Sequence, residues 1–275
     1  MKILTLNVHA WLEVDQMKKL QVLIDVLYEK DYDIIALQEV NQMMTDPVVN
    51  DQTYQAPEDD PLNIPIKKSN FARVIVEKLR ERGLIYYWSW TASHVGYDIF
   101  DEGLAILSKT QFEPINIVLS DETRYDSVAR RVALEAQTTI NNQHFTIFSS
   151  HFSWWELEGT PYFKTEWSNL NGHLPEEGNV IVMGDFNSEA EVEGEGYDYI
   201  KTTSPRLRDS YVMAKEVTGE ATMLGKIDGW HDAEQGKRID YIFTSTDLKP
   251  KTHQVIFNGH NEKVVSDHFG IEVTF

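Results

Sequence analysis

The chain has 275 residues, 41% of them hydrophobic and 25% charged, which is typical of a globular protein with a sizeable core. It contains no cysteine, and this excludes disulfides, thiolate metal sites and a cysteine nucleophile. The formal charge of −19, from 44 acidic residues against 25 Lys and Arg, argues against a nucleic acid partner. Proteins hold nucleic acid phosphates through Lys and Arg, and no basic run here exceeds two residues.

The apolar segments of the chain bear on its location. The run from Ile3 to Leu6 is too short for a secretory signal, and no segment reaches the roughly 20 apolar residues that span a bilayer. We therefore expect a soluble, cytoplasmic protein without a membrane partner. No linker, repeat or low-complexity tract divides the chain, so we expect a single domain over 1–275. The oligomeric state does not follow from the sequence.

In chain order, the pattern first predicts a strand, a helix and a second strand parallel to the first. The predicted strands of this part cover residues 3–6 and 33–37, and the predicted helices cover 14–30 and 71–82. Gly83 is expected to end the second helix. Between the second strand and that helix, residues 41–67 are polar and rich in proline, which predicts a long surface loop.

The rest of the chain is dominated by short apolar segments typical of strands. Strands are predicted over 84–93, 102–107, 112–119, 128–138, 144–151, 180–183, 238–244, 252–257 and 268–275. Asn141 and Asn142 predict a hairpin turn, and a helix is expected over 161–170. The acidic stretch before residue 238 is predicted to be irregular. This mixed order predicts an α/β (α+β) protein, with two packed sheets and helices outside.

Short polar motifs stand at the ends of these apolar runs. They are Leu6-Asn7-Val8-His9, Leu37-Gln38-Glu39-Val40, Ser149-Ser150-His151-Phe152, Met183-Gly184-Asp185-Phe186-Asn187, Arg238-Ile239-Asp240-Tyr241 and Ser266-Asp267-His268. Carboxylate, amide and imidazole groups are costly to bury without partners. So many of them at strand ends predict one polar site where those ends converge.

The order of the motifs resembles that of the endonuclease/exonuclease/phosphatase, or DNase I-like, superfamily. The resemblance rests on Leu6-Asn7, Gln38-Glu39, Gly184-Asp185-Phe186-Asn187, Arg238-Ile239-Asp240-Tyr241 and Ser266-Asp267-His268, and so covers nearly the whole chain. It implies a four-layer α/β/β/α sandwich, in which helices flank two mixed sheets. It also implies a phosphoric ester hydrolase that depends on Mg²⁺, with Mn²⁺ as an alternative.

The same resemblance assigns three residues to the metal ion. Glu39 is the expected main ligand, Asn7 assists, and Asp267 is a second acidic contributor. Carboxylate oxygens suit Mg²⁺, although Glu39 alone could equally cap a helix or pair with a lysine. His9 departs from the family pattern, because several nucleases of the family have an acidic residue two positions after the asparagine. This departure argues against a nuclease-like metal environment.

By resemblance, five further residues carry the reaction. Asp185 orients and deprotonates the attacking water, while Asn187 and His151 donate to the phosphoryl oxygens. Asp240 orients His268, whose imidazolium would stabilise charge on the transferred group. An Asx-turn is the plain structural alternative for Gly-Asp-Phe-Asn taken alone.

Aromatic residues follow two of the motifs and suggest a compact substrate. Trp11, Trp154 and Trp155 are candidate substrate contacts, because aromatic rings stack on sugars, although core packing is an ordinary alternative. Histidines outside the motifs, including His94, are expected to be ordinary polar residues. The segment from Gly96 to Leu107 resembles a branch of the family that includes enzymes similar to maltose 6'-phosphate phosphatase.

The leading expectation is therefore a cytoplasmic, Mg²⁺-dependent phosphomonoesterase of carbohydrate metabolism. Its partner would be a small phosphorylated sugar, hydrolysed by an activated water. A DNase I-like nuclease and a sphingomyelinase-like phosphodiesterase remain alternatives, and a catalytically silent binding module is a third.

Overall fold

A computed structural model describes residues 1–156, 159–225, 230 and 236–275. The helices are α1 (Gln16–Lys30), α2 (Phe71–Glu81), α3 (Tyr162–His173), α4 (Gly196–Thr203) and α5 (Ser210–Met213). The strands are β1 (Lys2–Asn7), β2 (Ile34–Gln38), β3 (Gln42–Met43), β4 (Tyr87–Gly96), β5 (Phe100–Ser108), β6 (Phe112–Val118), β7 (Val132–Ile140), β8 (Gln143–His151), β9 (Asn179–Asp185), β10 (Leu207–Asp209), β11 (Glu216–Thr218), β12 (Asp240–Ser245), β13 (Thr252–Ile256) and β14 (Gly270–Thr274).

The described strands form two mixed sheets. The order in the first is β11-β13-β14-β1-β2-β5-β3, with β4 also paired to β5, and in the second it is β10-β12-β9-β8-β7-β6. Strand β1 is parallel to β2, as predicted, and β8 is parallel to β9. Each parallel pair brings two strand ends to the same edge of its sheet.

Apolar side chains from both sheets meet in the space between them. Ile3, Ile34 and Ile106 from the first sheet share a buried cluster with Ile147 and Ile181 from the second. The outer face of the first sheet packs against α1 and α2, and that of the second packs against α3 and α4. Burying one such side chain stabilises a protein by about 1.5–3 kcal/mol. The predicted four-layer sandwich is therefore confirmed.

The stretch predicted to be irregular contains regular elements, and this part of the prediction was wrong. Residues 183–238 include α4, β10, α5 and β11. Helix α4 buries little besides Tyr197 and Ile200, and all three residues of β11 are exposed. Such elements carry almost no apolar periodicity, which is the signal from which helices and strands are predicted.

Two other local predictions are confirmed. Asn141 and Asn142 have φ values of 50° and 63° and join β7 to β8, as the turn of a tight hairpin requires. Gly83 has φ 86° and follows the end of α2, where a left-handed residue is common. None of the described helices combines the length and the apolar character needed to cross a lipid bilayer.

Candidate active site

The polar motifs lie together at one edge of the sandwich. Because β12 runs antiparallel beside β9, and β8 runs parallel on its other side, His151, Asp185 and Asp240 stand in register across three strands. Asn7 ends β1 and Glu39 directly follows β2 in the other sheet. The two sheets thus bring residues from distant parts of the chain to one place.

Gly184 is needed for the approach of β8 to β9. A Cβ atom at this position would lie 1.9 Å from the carbonyl oxygen of Ser150, and the φ of Gly184 is 146°. Glycine alone adopts this backbone without strain. The glycine before Asp185 therefore serves the local backbone path, as its place in the motif predicts.

Three residues that follow strand ends have left-handed backbone conformations. The φ values are 41° for His9, 51° for Glu39 and 45° for Asn187. This conformation costs about 1–2 kcal/mol for most residues, although asparagine tolerates it better. Strain of this kind is concentrated at functional sites, where it turns the chain sharply.

The side-chain amide of Asn7 links carboxylates from the two sheets. Its Nδ2 donates to Oε1 of Glu39 at 2.8 Å and to Oδ2 of Asp185 at 3.0 Å. Its Oδ1 accepts from the backbone N–H of His9 at 3.2 Å. Asn7 is fully buried, so this network fixes the relative positions of Glu39 and Asp185.

His268 lies between two carboxylates. Its Nδ1 is 3.0 Å from Oδ2 of Asp240, and its Nε2 is 3.6 Å from Oδ2 of Asp185. Burial lowers the pKa of His268, but Asp240 and Asp185 outweigh burial and hold it well above its ordinary value. The ring is therefore an imidazolium at neutral pH, as its predicted role requires.

Asp185 is the buried acid at the centre of the cluster. Its Oδ1 accepts from the backbone N–H of Asn187 at 2.9 Å. Burial, with Asp240 nearby, raises the pKa of Asp185 to about 7, although His268 opposes this shift. A carboxyl group with such a pKa can take a proton near neutral pH.

His151 and Asn187 contact each other beside Asp185. Nε2 of His151 lies 3.6 Å from Oδ2 of Asp185 and 3.2 Å from Nδ2 of Asn187. Burial, with Arg131 nearby, lowers the pKa of His151 well below its ordinary value. The amide of Asn187 also donates to the carbonyl oxygen of Phe152 at 3.0 Å, so an added phosphoryl acceptor would compete with protein partners.

Glu39 has the surroundings expected of a metal ligand. Glu39 accepts a hydrogen bond from Asn7. Within the described part of the chain it forms no ion pair with Lys or Arg. Burial and the charge of Asp267 raise the pKa of Glu39, because both disfavour its ionised form. A divalent cation would relieve this, and carboxylate oxygens are suitable ligands. The plain alternatives, a helix cap or a lysine pair, do not describe Glu39 here.

The other two predicted metal-side residues take different positions. Asn7 faces Glu39 with its amide nitrogen, which donates to this carboxylate. Asp267 is partly exposed, and its Oδ1 lies 3.7 Å from Nδ1 of His9. Potential ligand atoms of Glu39, His151 and Asp185 lie within 4.8 Å of one another.

His9 brings a positive charge to a position that is acidic in several nucleases. Its Nδ1 lies 2.8 Å from Oε1 of Glu13, which also contacts Lys19. Burial lowers the pKa of His9, but Glu13 and Asp267 outweigh burial and raise the pKa to about 9. Glu13 was not predicted, and because residues 9–13 precede α1 and are not helical, no periodic pattern indicated this pair.

Some of these groups border a cleft of about 330 Å³. Its lining includes Glu39, His151, Asp185, Asn187 and His268. A larger hollow, of about 720 Å³, lies at the opposite ends of β7 and β8 and contains none of the predicted site residues. We therefore take the smaller cleft as the candidate active site.

The cleft is also lined by residues that the sequence motifs did not indicate. His94, Glu102 and Arg131 line it, and all three are buried. Burial and the charge of Glu39 raise the pKa of Glu102 to about 8. Arg131 donates from Nε to Oγ of Ser153 at 3.4 Å and, within the described residues, has no ion pair. Arg131 was predicted only as part of a strand over 128–138, and it directly precedes β7.

The three candidate tryptophans have different surroundings. Trp154 lines the cleft. Trp11 instead packs edge-on against Phe71, with ring centroids 5.0 Å apart, and Trp155 contacts Phe163 and Tyr199. Neither of these two lines the cleft, because the backbone after each motif turns its ring toward a helix layer.

Comparisons with known proteins agree with this fold. A structure of an endonuclease/exonuclease/phosphatase family protein from Leptotrichia buccalis C-1013-b is 33% identical, with a TM-score of 0.85, covering 100% of this chain and 98% of the other. A mannosyl-6-phosphatase from Bacteroides thetaiotaomicron VPI-5482 is 16% identical, with a TM-score of 0.65 and coverage of 100% and 98%. Truncated Caenorhabditis elegans TDP2 is 15% identical, with a TM-score of 0.62 and coverage of 99% and 95%. No curated protein matches significantly.

The assignment of the chain to a family rests on its match to a protein-family model. The model described as Endonuclease/Exonuclease/phosphatase family matches residues 12–268, which include all the predicted site residues except Asn7 and Trp11. Members of this family hydrolyse phosphoesters, generally with a divalent metal ion. The chain therefore belongs to the Endonuclease/Exonuclease/phosphatase family.

Proposed function

We propose that this protein is a Mg²⁺-dependent phosphomonoesterase that removes phosphate from a phosphorylated sugar. The observation that carries this proposal is the position of Asp185. Its carboxylate lies within 3.6 Å of Asn7, His151 and His268 at the base of a small cleft. A base that accepts a hydrogen bond from Asn7 and lies beside the imidazolium of His268 suits the attack of a water molecule on a phosphorus atom.

Each of these residues has a separate role in the proposed reaction. Asp185 takes a proton from the attacking water, whose oxygen bonds to phosphorus as the bond to the sugar oxygen breaks. His268, oriented by Asp240, and the amide of Asn187 donate to the phosphoryl oxygens. The neutral ring of His151 borders the same space. The departing sugar oxygen takes a proton from solvent, Asp185 then releases its proton to solvent, and inorganic phosphate is the second product.

Glu39 and Asp267 would hold the metal ion, with Asn7 orienting Glu39. A divalent cation at this place neutralises charge on the phosphoryl oxygens and so lowers the barrier to attack. Mg²⁺ is proposed because the candidate ligands are oxygens, and Mn²⁺ is a substitute with similar preferences.

Charge and size favour a small substrate over a polymer. The net charge of −19 opposes the approach of a long polyanion. A cleft of about 330 Å³ lies near the lower end of the range typical of small-molecule sites. The mannosyl-6-phosphatase among the structural neighbours supports only that this fold accommodates a sugar phosphate. We accordingly propose no nucleic acid or membrane partner, and a cytoplasmic location that cell fractionation can test.

A substrate panel tests the proposal. Purified protein with Mg²⁺ is assayed against sugar phosphates, plasmid DNA and sphingomyelin, with and without EDTA. We expect phosphate release from sugars alone and its loss on chelation. Plasmid nicking or sphingomyelin cleavage as the sole activity would replace the proposal with the nuclease or phosphodiesterase alternative. No turnover of any substrate with either metal would favour the binding module.

A further inference from the structure

One wall of the cleft is built by residues that the proposed hydrolysis does not use. Strands β4 and β5 form an antiparallel hairpin, and His94 and Glu102 face each other in its register. Both line the same cleft as Asp185, and their exposed fractions are 4% and 6%. The hairpin thus places an imidazole and a carboxyl group beside the site of phosphoryl transfer.

A β-bulge in β4 brings these two side chains together. The pairing register shifts between Ala92 and His94, so Ser93 is an additional residue in the strand. The Arg130 guanidinium donates to the carbonyl oxygens of Ala92 and Ser93, and Ser93 Oγ donates to the carbonyl oxygen of Arg130 at 2.8 Å. Side chains alternate between the faces of a strand, so the extra residue reverses the face that His94 takes.

The hydrogen bonds of Ser93 define the proton position on His94. Because Ser93 Oγ donates to Arg130, it accepts from Nδ1 of His94, which lies 3.2 Å away. Burial, with Arg131 nearby, also lowers the pKa of His94 to about 3, so the ring is neutral. Its Nε2 is therefore a hydrogen-bond acceptor on the cleft side.

Glu102 presents a second acceptor beside this nitrogen. Its Oε1 lies 3.4 Å from Nε2 of His94, and within the described part of the chain Glu102 receives no hydrogen bond. Whether or not a proton is shared between Oε1 and Nε2, the carboxyl group of Glu102 keeps an acceptor oxygen beside His94. Both residues line the open cleft, so this acceptor is accessible to a ligand that supplies a donor.

Gly96 provides the space in which the carboxyl group of Glu102 lies. A Cβ atom at position 96 would be 2.7 Å from Oε2 of Glu102. Trp154 lines the same cleft and adds an aromatic ring to its lining. An aromatic ring beside a few fixed polar groups is a common way to bind a compact polar ligand.

We propose that Glu102 and His94 form a subsite that recognises hydroxyl groups on the sugar part of the substrate. This inference rests on the proposed function and narrows it to substrates with free hydroxyls near the phosphate. A hydroxyl group can donate to the acceptor that this pair presents to the cleft, which a second anionic group could not do. The subsite selects the substrate, while the phosphoryl chemistry stays with Asp185 and His268.

Steady-state kinetics on two kinds of substrate test the subsite. The wild type, Glu102→Gln and His94→Phe are compared on a sugar phosphate that the wild type hydrolyses and on p-nitrophenyl phosphate, whose leaving group has no additional hydroxyl. We expect each variant to raise KM for the sugar phosphate about ten- to a hundredfold, with kcat changed less than threefold. KM for p-nitrophenyl phosphate should stay within about twofold.

Deoxy analogues and a control variant sharpen the result. Removing the hydroxyl that binds the subsite should raise KM for the wild type but hardly for Glu102→Gln. Glu135→Gln is the matched control, because Glu135 is buried on β7 outside the cleft and bonds to Gln137. It should leave both KM values unchanged.

The possible outcomes separate the two proposals. Equal changes on both substrates, or no change on either, would overturn the subsite while leaving the phosphatase proposal intact. A wild type that cleaves p-nitrophenyl phosphate but no sugar phosphate would overturn both. If circular dichroism shows that a variant fails to fold, the deoxy analogues are tested on the wild type alone. A large rise in KM on removal of one hydroxyl supports the subsite. The same KM for all deoxy analogues contradicts it.

Discussion

Asn7 and Asp185 are joined by a 3.0 Å hydrogen bond across 178 residues of sequence. The bond connects the end of β1 in one sheet with the end of β9 in the other, and the same nitrogen also binds Glu39. The predicted metal ligand and the predicted base therefore share one donor. Because the donor is shared, a substitution of either acid should alter the hydrogen bond that the other receives.

The first prediction concerns Asp185. Replacing it with asparagine removes the proposed base while keeping the shape of the side chain, so kcat should fall by about two to four orders of magnitude. Circular dichroism and the melting temperature should change little. Asp247→Asn, at an exposed position, is the control and should keep wild-type activity. A near-normal rate for Asp185→Asn would remove this residue from the role of base.

The second prediction concerns the support of His268 by Asp240. Without the carboxylate of Asp240, the pKa of His268 should fall, because Asp240 is the main group that raises it. The imidazolium would then be lost at a lower pH, so the alkaline limb of the kcat profile of Asp240→Asn should move to lower pH. In Asp240→Glu, the alkaline limb should lie between its positions in Asp240→Asn and in the wild type. An unmoved alkaline limb in both variants would assign that limb to another group.

The third prediction is a pH-dependent stability from His9. Its pKa is raised to about 9 in the folded protein, above the ordinary value of 6.5. Its stabilising effect is therefore complete below about pH 6.5 and is lost as the pH rises through 9. In EDTA, His9→Gln should melt below the wild type at pH 6, and the difference should largely disappear at pH 10. A constant difference at both pH values would contradict a charged His9.

The fourth prediction uses the contact between Gly96 and Glu102. Gly96→Ala should displace the flexible end of Glu102, since the new Cβ would lie 2.7 Å from Oε2. We expect a small change in melting temperature but the same selective rise in sugar-phosphate KM as Glu102→Gln. The double variant should add little to either single change. Gly172→Ala, where no atom lies within 4 Å of the new Cβ, is the control.

The sequence allowed most of the strands and the residues at their ends to be predicted. Apolar runs such as residues 180–183 are short, continuous and followed by polar groups, which is a strong local signal. The acidic stretch that contains α4 and β11 gave no such signal, because these elements are short and mostly exposed. Their formation depends on contacts with the rest of the protein.

The cleft wall shows the limit of local patterns most clearly. His94 was expected to be an ordinary polar residue, since nothing near it in the chain resembles a motif. Its position depends on a bulge held by Arg130, which is 36 residues later in the numbering and belongs to a segment before β7. A contact of this kind cannot be read from periodicity.

The amino-acid sequence alone determined which groups stand at the strand ends. Alternating or continuous apolar runs specify the strands, and the polar residues that follow each run mark its end, because burying them without partners is costly. Only the tertiary structure decided how those ends meet: Asn7 between two acids, His9 as a cation, Trp11 against a helix, and His94 opposite Glu102. The physical reason is that hydrogen bonds and charges act over a few ångströms in space, and packing two sheets together sets those distances independently of separation along the chain.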